Sequence, residues 1–158
     1  MAFLTWQGRR YTNGAPSSGV AVDDQCLQVF EEMKLGHKWS YVVYKITDDK
    51  KRIVVDTKAA DRSYDDFKQI LMNASNNGLC RYGVFDVKFT TRGDQVREKL
   101  AFFHWSPDSC KTMEKMLYSS SLKELKSKLK GVHTEIQAND EDDLALSNVL
   151  DRCTDKYT

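Results

Sequence analysis

The stretch from Trp105 to Lys130 carries two apolar stripes with helical spacing. At about 100° per residue, the first stripe consists of Met113, Met116 and Leu117, and the second of Leu122, Leu125 and Leu129. The two stripes are rotated from each other by roughly a third of a turn or more. A straight amphipathic helix keeps its apolar stripe in phase. The sequence therefore predicts a kink or break at the serines of residues 119–121.

Both halves of this predicted helix have a start signal. Ser106 is an N-cap residue, and Pro107 suits the first helical position, where a missing N–H is not needed. The second half has a capping box made by Ser121 and Glu124. We therefore expect the helix to begin at Ser106 or Pro107 and to restart near Ser121.

The lysines of the stretch leave two interpretations open. Six lysines accompany only two acidic residues, Glu114 and Glu124. One interpretation is an ordinary core helix with a solvated lysine face. The other is that the methionine stripe docks into a groove of a partner protein, because methionine adapts to irregular clefts.

The remaining pattern alternates between short strands and helices. Strands are predicted over residues 39–46, 53–55, 81–89, 96–105 and 132–137. Three further helices are predicted. The first begins at Asp23 or Asp24 and ends at Gly36, and the second begins at Ser63 or Asp61 and ends before a loop over residues 73–78. The third begins at the acidic residues 140–143. Leu100–Phe103 is apolar on both sides, which predicts helices on both faces of the sheet. The fold class is thus α/β, a single-domain layer sandwich with a central mixed five-stranded sheet.

Length and composition favour one domain with short tails. The chain has 158 residues and a net charge of +1, so no global attraction to nucleic acid is expected. Residues 1–17 are predicted to be a disordered N-terminal extension, residues 18–153 the domain and residues 154–158 a C-terminal tail. No apolar run is long enough to cross a bilayer, and the N-terminus lacks the core of a signal peptide.

Catalytic chemistry is poorly supported by the sequence. His37, His104 and His133 lack the spacing of a metal motif, so no metal site is expected. The four cysteines, 26, 80, 110 and 153, are far apart, which fits a reduced intracellular protein. Cys110 lies near a predicted helix start, where a thiol is acidified, but a nucleophile also needs a base. With no phosphate loop or dinucleotide motif either, we expect no cofactor and no enzyme.

Several separated motifs resemble the ADF/cofilin family of actin-depolymerising proteins. They are Ser18-Gly-Val, Cys80-Arg-Tyr, Trp105-Ser-Pro-Asp-Ser, Lys115-Met-Leu-Tyr-Ser-Ser-Ser, Gly131-Val, Ile136-Gln-Ala and Val149-Leu-Asp-Arg. The resemblance covers about residues 18–153 and implies the ADF-homology fold. It implies a monomeric protein that binds actin monomers and filaments, with the ADP-bound form preferred, and that severs and depolymerises filaments. The implied location is the cytoplasm and cytoskeleton. The alternative is a phosphoinositide-regulated filament side-binder with little severing activity.

The resemblance also implies which residues bind. Contacts with both monomer and filament are expected at Ser18, Gly19, Val20, Lys111, Met113, Lys115, Met116 and Leu117. Filament-specific contacts are expected at Arg97, Lys99, Asp151 and Arg152. Inhibitory phosphoinositide lipids are expected to bind Lys115, Lys123, Lys126 and Lys128.

Three features qualify these expectations. Ser18 matches a position that kinases phosphorylate in the family, and a phosphate there would repel an acidic actin surface. Met113 stands where the family usually has a basic residue, and Lys111, one turn before Lys115, is the nearest substitute. The run Lys50-Lys51-Arg52 is either a solvated turn or a nuclear import signal, so nuclear entry is a second possible location.

Overall fold

The computed structural model describes residues 19–154 of the chain. Its strands are β1 (Ala21–Val22), β2 (Tyr41–Ile46), β3 (Arg52–Ala59), β4 (Arg81–Thr90), β5 (Val96–Trp105) and β6 (Thr134–Ala138). Its helices are α1 (Asp24–Gly36), α2 (Tyr64–Asn76), α3 (Thr112–Lys128) and α4 (Leu146–Thr154), with a 3-10 turn over Glu141–Leu144 before α4. This arrangement confirms the predicted α/β layer sandwich.

The sheet of the described residues has six strands, not the predicted five, in the order β1-β3-β2-β4-β5-β6. The additional strand is β1, which pairs parallel to the start of β3. It is only two residues long and is held by backbone bonds from Ala21 N–H to Lys51 O and from Asp23 N–H to Ile53 O, both 2.9 Å. Such a short strand has no periodic pattern, so it could not be recognised from periodicity. The inner pairs β3-β2, β2-β4 and β4-β5 are antiparallel, and β5-β6 is parallel.

Alternation along the central strands divides the core into two parts. Phe102 of β5 lies in the cluster that contains Phe30 of α1 and Tyr118 of α3. Its neighbour Phe103 lies in the cluster on the other face, with Phe67 of α2 and residues of α4. Successive strand residues point to opposite faces, so a strand that is apolar at every position requires helices on both sides. This confirms the prediction made from Leu100–Phe103.

Helix α3 is fixed to the sheet by side-chain hydrogen bonds. The Ile46 N–H donates to the hydroxyl of the buried Tyr118 at 2.9 Å, and the Tyr82 hydroxyl donates to the Tyr118 carbonyl oxygen. One turn earlier, the Glu114 carboxylate accepts from the Cys80 N–H at 3.3 Å. These bonds set the rotation of the helix about its axis and therefore decide which side chains point outward.

The predicted start of α3 was wrong by about one and a half turns. The helix begins at Thr112, because the Ser106 N–H bonds to Ala138 O and extends the sheet edge instead. Pro107 lies in a turn, and its carbonyl oxygen accepts a hydrogen bond from the Cys110 N–H at 3.0 Å. The N-cap is Lys111, which makes no side-chain capping bond. A serine and a proline at the end of a strand thus resemble a helix start without forming one.

The predicted break at residues 119–121 is also wrong, because α3 is continuous from Thr112 to Lys128. Tyr118, Ser121 and Leu125 form its buried stripe, and Leu122 packs beside them. Ser120 bonds back to the Leu117 carbonyl oxygen at 3.1 Å, which lets a serine remain inside a helix. The two apolar stripes therefore coexist on one helix, since Met113 and Met116 of the first stripe point to solvent while the second stripe faces the core.

Other helix boundaries were predicted with mixed success. Ser63 is the N-cap of α2, as one of the two candidates, and its hydroxyl accepts from the Asp66 N–H. Helix α2 continues to Asn76, into the predicted loop. Asp140 caps the 3-10 turn at its Asp143 N–H, so the acidic run does not begin α4. Gly36 is the last residue of α1, and His37 takes the left-handed conformation after it.

The predictions for residues 1–17 and for most of the C-terminal tail lie outside the described residues. Thr154, which we assigned to that tail, is the last residue of α4. In residues 19–154, no helix combines the length and the apolar character needed to span a membrane.

Candidate functional site

The outward face of α3 presents two methionines to solvent. Met113 and Met116 are 69% and 61% exposed, and they account for two of the five large apolar side chains that are exposed in residues 19–154. At about 100° per residue, Met113, Met116, Ser120 and Lys123 lie within about 80° of one another, roughly opposite the buried stripe. We define the α3 surface as Lys111, Met113, Lys115, Met116 and Leu117. Its two methionines do not pack in the core.

The other members of the α3 surface are held more firmly. Lys115 Nζ lies 2.9 Å from a carboxylate oxygen of the exposed Asp108. Lys111, at the N-cap, donates its N–H to Gly78 O, and its side chain lies over Gly78. Leu117 is partly buried and packs against the core. The surface is thus an apolar centre with lysines on one side, which is the composition expected of a docking helix.

The segment that leads into β1 lies against the same helix. Strand β1 contacts α3, and Gly19 before it is exposed with φ of +79°. Val20 is fully buried in the core cluster and offers no exposed area in this conformation. Its expected contact with actin stays a prediction. Ser18 lies outside the described residues.

The second set of expected contacts lies on the α2/α4 side of the sheet. Arg97 is exposed and donates to Gln95 Oε1 at 2.7 Å, and the exposed Arg152 donates to the Glu135 carbonyl oxygen at 2.8 Å. Lys99 is only 8% exposed and lies near Cys153, whose pKa is raised by burial against the opposing charges of Lys99 and Arg152. Lys99 therefore packs largely inside the protein, so we leave it out of the surface defined below. Its expected contact with filaments stays a prediction. We define the β5–α4 surface as Arg97, Asp151 and Arg152.

The lysines expected to bind phosphoinositides do not share one face. Lys115, Lys123 and Lys126 lie within about 80° around α3, whereas Lys128 lies about 140° from Lys123. Lys126 also pairs with Glu135 of β6. Three of the four lysines therefore share one side of the helix, and the lipid contact of all four stays a prediction.

The cysteines have the environment of structural thiols. All four are free and buried. Burial raises the pKa of the Cys110 thiol, whose Sγ lies 3.4 Å from the Leu79 carbonyl oxygen as its acceptor. A thiolate nucleophile needs the opposite shift. The observed surroundings of Cys110 do not support a catalytic cysteine.

One histidine is part of a cluster that the sequence analysis missed. His37, Asp86 and Glu98 place their ligand atoms within 4.8 Å of one another, and they are the group in residues 19–154 that could hold a metal ion. They come from the end of α1, from β4 and from β5, so no sequence motif joins them. The predicted strands that became β4 and β5 indicated only that Asp86 and Glu98 lie on neighbouring strands. By contrast, His104 is buried, its pKa is lowered by desolvation, and it bonds to Gln137.

Comparison with known proteins identifies relatives of this chain. Residues 19–154 match the model of the cofilin/tropomyosin-type actin-binding proteins. A cofilin from Gibberella zeae is 40% identical over 141 residues, which cover 84% of this chain and 92% of that protein. A cofilin from Yarrowia lipolytica is 44% identical over 136 residues, which cover 85% and 86%.

The fold is also similar to solved structures. The crystal structure of a cofilin from Streptomyces griseoflavus superposes with a TM-score of 0.79 at 33% identity. The match covers 87% of this chain and 98% of that one. The family model spans residues 19–154, which is the whole described region and includes α3.

Proposed function

Because the chain belongs to the ADF/cofilin family of actin-binding proteins, we propose that its α3 surface is the contact it makes with both actin monomers and filaments. The protein binds actin, and it depolymerises and severs filaments. It is not an enzyme, because members of the family act by binding.

The observation that carries the assignment is the outward position of Met113 and Met116. Burying such a side chain contributes on the order of 1.5–3 kcal/mol. The helix that presents them is held rigidly by Tyr118 and Glu114, so little conformational freedom is lost on binding. Lys111 and Lys115 stand beside the methionines and suit an acidic rim, where charges mainly accelerate association.

The β5–α4 surface is proposed as a second contact, made only in filaments. Arg97, Asp151 and Arg152 are exposed and charged, and they lie away from the α3 surface on the opposite face of the sheet. A protein that touches two adjacent subunits can favour a changed filament twist, because contacts made only in that state shift the population toward it. Severing then needs no covalent step. A preference for ADP-bound actin belongs to the same proposal.

Pelleting with filamentous actin, a monomer-binding assay and a pyrene-actin disassembly assay test both contacts together. Lys115→Ala/Met116→Ala is expected to weaken monomer and filament binding alike. Arg97→Ala is expected to spare monomer binding and to weaken filament binding. Equal losses in both assays from both variants would contradict the assignment of two surfaces.

The same disassembly assay separates severing from side-binding. If the protein is a filament side-binder with little severing activity, it will pellet with filaments but leave their number of ends unchanged. We expect instead that substoichiometric protein accelerates disassembly.

Inhibition by phosphoinositides is proposed through Lys115, Lys123 and Lys126. Lys115 belongs to the α3 surface, so a lipid headgroup bound there competes with actin. Vesicles that contain phosphatidylinositol bisphosphate should reduce actin binding of the wild type and less so of Lys123→Ala/Lys126→Ala. Lys128→Ala is the matched control, because Lys128 lies on a different side of α3. Equal inhibition of all variants would remove this proposal.

Regulation by a kinase is proposed at Ser18, next to Gly19. A phosphate adds nearly two negative charges and would weaken docking against an acidic surface. Ser18→Glu should lower actin affinity, whereas Ser17→Glu serves as a control for the added charge alone. Unchanged affinity of Ser18→Glu would eliminate the switch.

We place the protein in the cytoplasm with the actin cytoskeleton, as a monomer, with nuclear entry through Lys50-Lys51-Arg52 as a further proposal. Lys50 and Lys51 are exposed on the turn between β2 and β3, and Arg52 pairs with Asp23. Lys50→Ala/Lys51→Ala should leave actin binding intact. Only a change in the nuclear fraction of the tagged protein would support an import role.

A further inference from the structure

His37, Asp86 and Glu98 meet at one point although each comes from a different element. His37 follows α1 in the left-handed conformation, with φ of 49°. Asp86 of β4 lies opposite Leu100, and Lys88 lies opposite Glu98, so the two acids are diagonal neighbours on the α1 side of the sheet. His37 Nδ1 lies 2.9 Å from Asp86 Oδ2 and 3.0 Å from Glu98 Oε2.

This arrangement leaves hydrogen bonding incomplete. One ring nitrogen carries at most one proton, yet it faces two carboxylate oxygens. The Asp86 side chain is only 4% exposed, and its second oxygen, Oδ1, is buried without a hydrogen-bond partner. A buried acceptor without a partner is costly and calls for an explanation. A cation between the three groups would supply the missing positive charge.

The three groups also suit a metal ion chemically. One imidazole nitrogen and two carboxylate oxygens are ligands of zinc-like ions, at distances of about 2.0–2.2 Å. The ion would take the place of the Nδ1 proton, next to Asp86 Oδ2 and Glu98 Oε2. Side-chain exposures of 46% for His37 and 32% for Glu98 leave an entry path and a position for water.

We propose that His37, Asp86 and Glu98 bind one divalent transition-metal ion of the zinc class, which links the end of α1 to strands β4 and β5. The site is separate from the residues of the α3 and β5–α4 surfaces. Since the ion binds the folded arrangement, it stabilises the fold against unfolding. The proposal does not depend on the function proposed for those surfaces.

The test is binding of Zn²⁺ to the reduced, tag-free full chain, measured by isothermal titration calorimetry and by thermal unfolding. One equivalent should bind. At a free Zn²⁺ concentration of about 100 times Kd, Tm should rise by roughly 5 °C or more. Glu98→Gln and His37→Ala should each weaken binding at least tenfold, because each removes one ligand. Glu98→Gln keeps the shape of a part-exposed side chain, so it is the variant expected to fold normally.

The control is His133→Ala, which removes an imidazole elsewhere and should bind Zn²⁺ like the wild type. Substituting Co²⁺ distinguishes the proposed ligands from the cysteines, since thiolate ligation gives an intense near-ultraviolet charge-transfer band and the proposed ligands do not. No binding, unchanged binding in Glu98→Gln and His37→Ala, or a thiolate band would each overturn the proposal. The trio would then be an ion pair alone.

Discussion

The α3 surface and the β5–α4 surface differ in what they offer a partner. The α3 surface exposes Met113 and Met116, whose removal from water stabilises a complex in proportion to the buried area. The β5–α4 surface exposes Arg97 and Arg152, which already bond to Gln95 and to the Glu135 carbonyl oxygen. Such groups exchange one polar partner for another on binding. We therefore propose that the first surface supplies affinity and that the second supplies selectivity for the filament.

The largest expected effect comes from placing charge on the α3 surface. Met113→Glu/Met116→Glu should reduce affinity for actin monomers and filaments by about 100-fold or more, because two unpaired carboxylates would replace apolar area in the contact. Leu35→Glu is the matched control, since Leu35 is 76% exposed outside both surfaces. Monomer binding measured by fluorescence titration gives the comparison, and equal losses in the two variants would show that the effect is not local.

A smaller and more selective effect is expected from the β5–α4 surface. Arg97→Ala/Arg152→Ala should lower filament affinity by roughly 5- to 10-fold, since exposed charges contribute up to about 1 kcal/mol each. Monomer affinity should stay within about twofold of the wild type. Co-sedimentation at two salt concentrations checks this, because the wild-type advantage should shrink as salt screens the charges. A parallel loss of monomer affinity would merge the two surfaces into one.

A substitution at Lys99 tests whether a buried residue near the β5–α4 surface contributes to filament binding. Lys99→Met keeps the length of the buried side chain and removes its charge. Filament affinity should change by less than about twofold, because a residue 8% exposed has little area to offer a partner. Co-sedimentation gives the affinity, and circular dichroism verifies the fold. A loss as large as that of Arg97→Ala would return Lys99 to the set of filament contacts.

The smallest expected effect concerns pH and a residue of neither surface. Hydrogen bonding to Asp86 raises the pKa of His37 above its usual 6.5, with further support from Asp86 and Glu98 charges and opposition from burial and Lys88. A group whose pKa is raised by folding contributes stability below its unfolded pKa and loses it as pH rises through the folded value. Burial also raises the pKa of Asp86, but from the usual 3.8 of an aspartate. The change in stability that comes from Asp86 therefore begins at a much lower pH than the change that comes from His37.

In metal-free buffer, the Tm of the wild type should therefore fall modestly as pH rises from about 6 to 8. The Tm of His37→Ala should change less over the same range. Differential scanning calorimetry of both proteins measures this. If His37→Ala retained the full decline, the ionisation would belong to another group.

Much of the fold could be predicted from the sequence where local pattern and tertiary structure agree. Strand β5 has the predicted ends, Val96 and Trp105, because its apolar run is bounded by a turn on one side and by Ser106-Pro107 on the other. Ser63 was a recognisable N-cap because its hydroxyl bonds within its own turn. Such signals depend on neighbours in the chain, which the sequence displays directly.

The wrong predictions concern features that are determined by residues distant in the sequence. Ser106 does not cap α3, because its N–H is claimed by Ala138 on the neighbouring strand. The phase shift between the stripes of α3 did not require a break, since Tyr118 and Ser121 complete the core stripe and the methionines lie outside it. The exposure of Lys99 and the meeting of His37 with Asp86 depend on sheet pairing and helix packing. Periodicity contains no information about these contacts.

Nuclear magnetic resonance of methionine methyl groups tests the central claim most directly. The chain has five methionines, and Met33 is fully buried while Met72 packs on the opposite face of the sheet. With methyl-labelled methionine and unlabelled actin monomers, the signals of Met113 and Met116 should shift or broaden, and those of Met33 and Met72 should not. Unperturbed Met113 and Met116 signals in a saturated complex would contradict the assignment of the α3 surface.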